Sequence, residues 1–395
     1  MLSHVVVAVT AGVVTAVATP AVARLSRRIG AYDHPVVVDA ATDTIPPSRS
    51  SAVSGGRRPR VRRVPTLGGL GMLVGFLAAL GVAWAIPGFR PLFTATSEPL
   101  ALIVGVLVIA AVGVVDDLYD LPPTVKLAGQ IVAALGVAVF GIQLVYFWIP
   151  GVEVLALSPD LGLPLTIIAL VAMINAVNLI DGLDGLAAGV TAIAALAFFL
   201  FTVHSQTAGL GDTIPTSSTL VAAIVAGMAA GFLVHNWHPA RIFMGDTGAM
   251  LLGLLLGAAG VAYVGRTTAP SAEDFTGTVP LVMPALVLAV PFLDTAFAVV
   301  RRLITRRPVA VGDRGHLHHL LLRAGHTHRR AVLVLYYWST VAAFGSVGGA
   351  FLPWSRLVPW IIGAVGLGFV LTMLGTRASG DPAAMQVPPS HRGTA

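Results

Sequence analysis

The chain has 395 residues, 56% of them hydrophobic and only 11% charged, with a formal net charge of +6. So apolar a composition exceeds what a soluble domain of this size uses, and the lack of any cysteine excludes disulfides, thiolate nucleophiles and zinc–thiolate centres. Apolar stretches recur at about 17 to 23 residues, the length that crosses a bilayer as a helix. The chain therefore reads as an all-α, polytopic integral membrane protein.

In chain order, eleven transmembrane helices are predicted: 4–23, 66–86, 99–115, 125–142, 161–179, 186–204, 217–235, 247–264, 278–300, 330–350 and 355–375. No small-residue cleavage site follows the first apolar run before further spans, so it reads as a retained helix. Residues 36–60, VVVDAATDTIPPSRSSAVSGGRRPR, are polar and rich in Pro, Ser and Gly, which predicts a flexible loop. Residues 1–376 form a single transmembrane domain in this reading, and 377–395 a disordered tail.

Positive charge orients the spans. The segment between the first two helices carries nine arginines, and that between the ninth and tenth carries eight. Lys126, Arg241, Arg377 and Arg392 fall on the same side, and only Arg90, Arg266 and Arg356 lie opposite. The N-terminus is thus predicted outside and the C-terminus in the cytoplasm. Four polar stretches then land together on the cytoplasmic face.

The first is DDLYDLPPTVK, residues 116–126. Asp116 and Asp120 are spaced to share a helix face, with Asp117 beside them. Clustered carboxylates suit a hard divalent cation such as Mg²⁺, which keeps water and substrate phosphate in its shell. Lys126 is the single lysine in a chain with 23 arginines, and its ammonium is a compact charge for a phosphate. A plain solvated loop would explain one such charge more readily than three aspartates at a membrane edge.

The second is NAVNLIDGLDGLAAG, residues 175–189. Asn175 and Asn178 lie three apart on one face, and Asp181 and Asp184 follow in a turn whose glycines allow close backbone approach. These oxygens could coordinate Mg²⁺ or meet a base or sugar; capping of the next helix accounts for Asp184 alone. The third is HNWHPARIFMGDTG, residues 235–248. Asp246 opens a helix, where an N-cap and a phosphate site are both natural. Trp237 and Phe243 offer flat faces for a nucleobase, or serve as interfacial anchors. The fourth is GDRGHLHHLLLRAGHTHRR, residues 312–330, in which Arg314, His316, His318 and His319 form a dense donor cluster. Their spacing does not match a closed zinc set, and a pyrophosphate or sugar phosphate fits better than a basic loop serving topology alone. A metal, cationic neutralisation and positioning are what phosphoryl transfer requires.

Taken in this order and spacing, the four motifs resemble the polyprenyl-phosphate N-acetylhexosamine-1-phosphate transferase family, from PTLGG at 65–69 to HLHH at 316–319. The histidine stretch resembles the branch that uses UDP-N-acetylglucosamine, rather than the branch that transfers phospho-N-acetylmuramoyl-pentapeptide. The resemblance implies a bacterial plasma-membrane enzyme with a cytoplasmic-face site. It would transfer N-acetylglucosamine-1-phosphate from UDP-N-acetylglucosamine to undecaprenyl or decaprenyl phosphate, releasing UMP, for cell-envelope polysaccharide synthesis. It implies Mg²⁺, or Mn²⁺ in its place, held by Asn178 and Asp246. Asp116 and Asp117 would position or deprotonate the lipid phosphate, with Lys126 neutralising charge. Asp184, Asn236 and Phe243 would form the uridine pocket, with Asn175 and Asp181 also meeting substrate. Arg314, His316, His318 and His319 would face the diphosphate and sugar. Direct in-line attack and a two-step route through an aspartyl-phosphate both remain open. The implied partners are these substrates, the bilayer and a second copy in a homodimer, and no nucleic acid. Where the family carries a Lys/His-containing stretch before PTLGG, this chain has RRPRVRR.

Two other functions are weighed against this one. An intramembrane prenyltransferase needs two Asp-rich motifs of similar form, whereas the second here is Asn/Gly-rich. A secondary transporter needs carboxylates near helix midpoints, and Asp294 is the one placed so.

Overall fold

The computed structural model describes residues 1–32, 36–38, 60–148, 154–207, 217–264, 320–322 and 324–374. The long helices are α1 (Leu2–Ile29), α2 (Gly68–Ala85), α4 (Glu98–Tyr119), α5 (Pro123–Val139), α6 (Pro159–Ile180), α7 (Leu186–Thr207), α8 (Ser217–Asn236), α9 (Gly245–Val264), α10 (His328–Phe351) and α11 (Trp354–Met373). A short α3 (Arg90–Ala95) follows a single 3₁₀ turn at Pro87–Phe89. Among the described residues nine helices are long and apolar enough to span a membrane, with α5 shorter at 17 residues. Ten of the predicted helices are therefore helices here. The predicted helix at 278–300, with Asp294, and the tail at 377–395 lie outside the described residues.

Not every element is helical. β1 (Val36–Val38) and β2 (Arg60–Arg62) pair antiparallel, Val37 opposite Val61. The ends of the expected flexible loop thus zip together, and its interior lies outside the described residues. A second pair, β3 (Tyr146–Trp148) with β4 (Val154–Ala156), joins α5 to α6 where sequence reading placed no strand. The run VYFW ahead of a Pro-Gly step is the composition of a short hairpin.

Helix α9 is the axis of the bundle: every residue from Thr247 to Val264 is buried. It packs against α4, α6, α8 and α2, while α1 closes on α2 and α8, and α7 on α8 and α10. Lipid supplies no hydrophobic drive between helices, so close packing of small residues holds such a bundle. Two glycines set the approach that matters for the site. A Cβ on Gly113 of α4 would sit 2.7 Å from the Thr247 backbone nitrogen, and one on Gly69 of α2 would sit 2.6 Å from the Gly248 Cα. Both helices are thereby pressed against the first turn of α9.

Helix α1 shows the opposite environment along one side. Val7, Ala11, Thr15 and Thr19 are buried at helical spacing, whereas Val9, Val13 and Val17 are exposed, as a lipid-facing stripe requires. Pro20 inside α1 has no N–H, which orphans the Ala16 carbonyl one turn earlier. His235 of α8 fills that gap, its Nε2 lying 2.8 Å from the Ala16 oxygen.

Candidate active site

Helix α4 runs through Asp116 and Asp117 and stops at Tyr119, because Asp120 turns left-handed at φ 52° and its N–H donates to the Asp116 carbonyl. The predicted span ended at 115; the helix runs on to Tyr119, so Asp116 and Asp117 sit on its last turn. Asp120 leaves the shared face. Pro122 and Pro123 then start α5, with Lys126 in its first turn.

The Lys126 ammonium lies 3.0 Å from Asp116 Oδ2 and also contacts the Asp246 carboxylate. Asp246 Oδ1 accepts a hydrogen bond from the Asn178 carboxamide at 2.7 Å. Asp116 Oδ1 accepts from the Leu121 N–H at 2.8 Å. Asp117 does something different. It takes the Asp246 N–H at 2.8 Å, the Thr247 N–H at 3.2 Å and the Thr247 hydroxyl at 2.6 Å. Asp117 is thus the N-terminal cap of α9, supplied from another helix 130 positions away, with its negative charge at the positive end of the helix dipole.

Two carboxylates, Asp116 and Asp246, therefore share one ammonium, and the third, Asp117, stands behind them as the cap of α9. The Asp116 side chain is 8% exposed and that of Lys126 19%. Hard oxygen donors in such a set, with the Asn178 carboxamide beside them, fit a divalent cation.

A second polar group lies at the same end. The chain after α6 turns through Asp181, whose N–H donates to the Asn178 carbonyl at 3.2 Å. Asp184 Oδ2 then receives His238 Nδ1 at 2.7 Å and the Ala240 N–H at 3.0 Å. A carboxylate only accepts, so the His238 proton sits on Nδ1. Burial works to raise the Asp184 carboxyl. The hydrogen bonds from His238 and Ala240, and the neighbouring His328 and His238 rings, outweigh it and hold the group below the ordinary carboxylate value. Asn236, 2% exposed, accepts the Gly185 N–H at 2.9 Å and donates to the Ile242 carbonyl at 3.0 Å, clipping the 181–185 turn to the 237–244 segment. Tyr336 of α10 donates to the Gly185 carbonyl. The His238 and His328 rings stack with centroids 4.1 Å apart.

Phe243 is half-buried, its N–H on the Pro65 carbonyl and its own carbonyl taking the Gly68 N–H. The PTLGG stretch is thereby laced to the segment that carries Asp246. Asn175 lies one turn below Asn178, where its amide donates to the Gln130 side chain at 2.7 Å and to the Val171 carbonyl at 2.8 Å.

The structure thus brings Asp116, Asp117, Lys126, Asn178 and Asp246 into one cluster, and sets Asp181, Asp184, Asn236 and Phe243 in the adjoining turn and segment. Asn175 bonds to Gln130 between α5 and α6. Arg314, His316, His318 and His319 lie outside the described residues. Sequence reading passed over Gln130, His238, Thr247, His328 and Tyr336. His238 stood in the quoted HNWHPAR stretch and His328 in AGHTHRR, but their partners lie 54 and more positions away.

A family model described as glycosyl transferase family 4 matches residues 99–264. A decaprenyl-phosphate N-acetylglucosaminephosphotransferase of Mycobacterium tuberculosis (strain ATCC 25618 / H37Rv) is 35% identical over 381 residues, covering 95% of this chain and 89% of the relative. A probable undecaprenyl-phosphate N-acetylglucosaminyl 1-phosphate transferase of Bacillus subtilis (strain 168) is 31% identical over 318 residues, covering 80% and 77%. A phospho-N-acetylmuramoyl-pentapeptide-transferase of Shouchella clausii is 38% identical over 202 residues, 48% of this chain and 58% of that protein.

Proposed function

The chain belongs to glycosyl transferase family 4, and we propose that it moves N-acetylglucosamine-1-phosphate from UDP-N-acetylglucosamine to a polyprenyl phosphate. An oxygen of the lipid phosphate attacks the β-phosphorus, the bond from that phosphorus to the bridging oxygen breaks, and UMP departs with the electron pair. The products are polyprenyl-diphospho-N-acetylglucosamine and UMP. The observation that carries this reading is the convergence of Asp116, Lys126, Asn178 and Asp246 from three motifs into one carboxylate-rich cluster at the helix ends.

Each residue has a task that its bonding supports. Asn178 and Asp246 would hold Mg²⁺. When bound, that ion would neutralise diphosphate charge as the leaving group separates. Lys126, already shared between two carboxylates, adds the mobile positive charge that a phosphate can draw away. Asp116 positions the lipid phosphate, which is ionised at neutral pH and needs no strong base. Both oxygens of Asp117 accept hydrogen bonds from α9, which favours a positioning role over a nucleophilic one and so favours direct attack. Asp184, Asn236 and Phe243 shape the uridine pocket.

This reading sets eleven spans in a plasma membrane with the N-terminus outside and the site at the cytoplasmic face, where the arginine bias puts it. UMP release by the purified protein, compared with UDP-N-acetylglucosamine and with UDP-N-acetylmuramoyl-pentapeptide in the presence of polyprenyl phosphate and Mg²⁺, tests it. Release is expected with the first donor only. Release with the pentapeptide donor alone would assign the chain to the other branch.

A further inference from the structure

At the ends of α1 and α8, sharing no lining residue with the Lys126 cluster, lies a cavity of about 190 Å³ rimmed by Arg24, Arg27 and Arg241. Its inner wall is the Pro20–His235 joint described above: the missing N–H of Pro20 frees the Ala16 carbonyl, and His235 pins α1 to α8 by taking it. The Arg241 N–H donates to the His235 carbonyl at 2.8 Å, which holds the third arginine at the rim. All three arginines are exposed, and none forms an ion pair among the described residues.

We propose that this cavity binds the phosphate headgroup of an anionic membrane phospholipid. The inference goes beyond the transfer reaction and does not rest on it. Three guanidinium groups around one hollow offer paired N–H donors with the geometry of a phosphate. Basic pockets between membrane helices on the cytoplasmic side are where anionic headgroups settle. At about 30 Å³ per water in the liquid, the hollow has room for roughly six waters, enough for a phosphate and part of its ester substituent. The hydrocarbon side matches as well. The exposed stripe Val9, Val13 and Val17 leads along α1 toward Arg24, a further seven residues on, so an acyl chain can follow the helix while its phosphate reaches the arginines. Arginines serving topology alone would need no hollow between two helices.

The same chemistry could be met by inorganic phosphate or by a polyprenyl phosphate, and the experiment separates these. Full-length protein is reconstituted in phosphatidylcholine vesicles with or without phosphatidylglycerol. Lipid retained after detergent extraction is counted by native mass spectrometry, and transferase activity is measured in the same samples. The wild type is expected to retain phosphatidylglycerol over phosphatidylcholine. Arg24→Gln/Arg27→Gln should lose about tenfold of that retention. Arg24→Lys/Arg27→Lys, which keeps the charge, should recover part of it, and Arg90→Gln on the opposite side should change nothing. If the glutamine pair does not fold, Arg241→Gln gives the same reading from the other rim. Equal retention in wild type and variants would overturn the proposal. So would displacement of the lipid by inorganic phosphate at equal concentration, which would mark a free-anion site. Displacement by polyprenyl phosphate with a matching loss of activity would make the hollow an acceptor site and likewise overturn it.

Discussion

Around Lys126, two carboxylates, Asp116 and Asp246, share one ammonium, with Asp117 behind them capping the first turn of α9; around Asp184, a single carboxylate is met by an imidazole and a backbone N–H from the facing segment. The two regions lie at the same end of the bundle and draw on neighbouring segments. In the first, charge is left over, and a cation or a phosphate that recruits one has something to gain by entering. In the second, the chain satisfies its own polar groups, through Asn236, His238 and Tyr336, and what results is shape. Chemistry is expected where internal charge does not balance, and recognition where the frame is already tied. Mutations can be ranked on that contrast.

The largest effect is expected from Asp246→Asn. It keeps the side-chain shape but removes the carboxylate that Lys126 and Asn178 both meet. Turnover should fall on the order of 10³-fold, while the unfolding midpoint stays near that of the wild type, because one of three crowded negative charges is gone. Steady-state UMP release and a thermal melt, done together, check this. A melt that collapses while residual turnover persists would make the cluster structural and erase the contrast.

Lys126→Met comes next. Loss of the one ammonium should reduce turnover about 10²-fold, and Lys126→Arg should restore only part, since a planar fork cannot sit between two carboxylates as a compact charge does. Equal activity in the Met and Arg variants would mean that the positive charge is not used.

Asp184→Asn should act mainly through the frame. It removes a charged acceptor from two hydrogen bonds, at a cost of about 1–3 kcal/mol, and should raise KM for the nucleotide sugar more than it lowers kcat. Its pH signature is specific. The folded-state Asp184 carboxyl lies below its unfolded value, so its contribution is complete above about pH 4, the ordinary aspartate range. It is then lost as pH falls through the folded value. Asp184→Asn should flatten that acid limb of a plot of Tm against pH.

The smallest effect is expected from Tyr336→Phe, which removes only the hydroxyl donated to Gly185. A loss of about 1 kcal/mol in stability, with kcat unchanged, would place α10 as a brace for the turn. A large fall in kcat would move Tyr336 from the frame to the chemistry.

Hydropathy alone located ten of the helices now seen, because twenty apolar residues in a row leave little choice of structure. The arginine bias then put four polar motifs on one face, and three of them do converge. The partners inside that convergence were not legible. Asp117 looked like a member of an acidic cluster, yet it caps a helix 130 positions later. No local pattern in VVDDLYD announces that. Asn175 looked equivalent to Asn178 by spacing, but one turn of α6 carries it deeper, to Gln130. The β3–β4 pair went unseen because three-residue strands fall below what an alternating pattern can mark. His238 was passed over, since its role depends on Asp184, 54 positions earlier.

The central claim is that the charge-rich cluster moves a phosphoryl sugar from a nucleotide to a lipid. UDP-N-acetylglucosamine labelled with ³²P at the β-phosphorus tests it most directly, given to purified protein with polyprenyl phosphate and Mg²⁺. The account predicts label in the organic phase, in amounts equal to the UMP left in water, and transfer on the order of 10³-fold slower by Asp246→Asn. Label that stays in the aqueous phase as sugar phosphate or free phosphate, or that reaches the lipid undiminished in the variant, would contradict it.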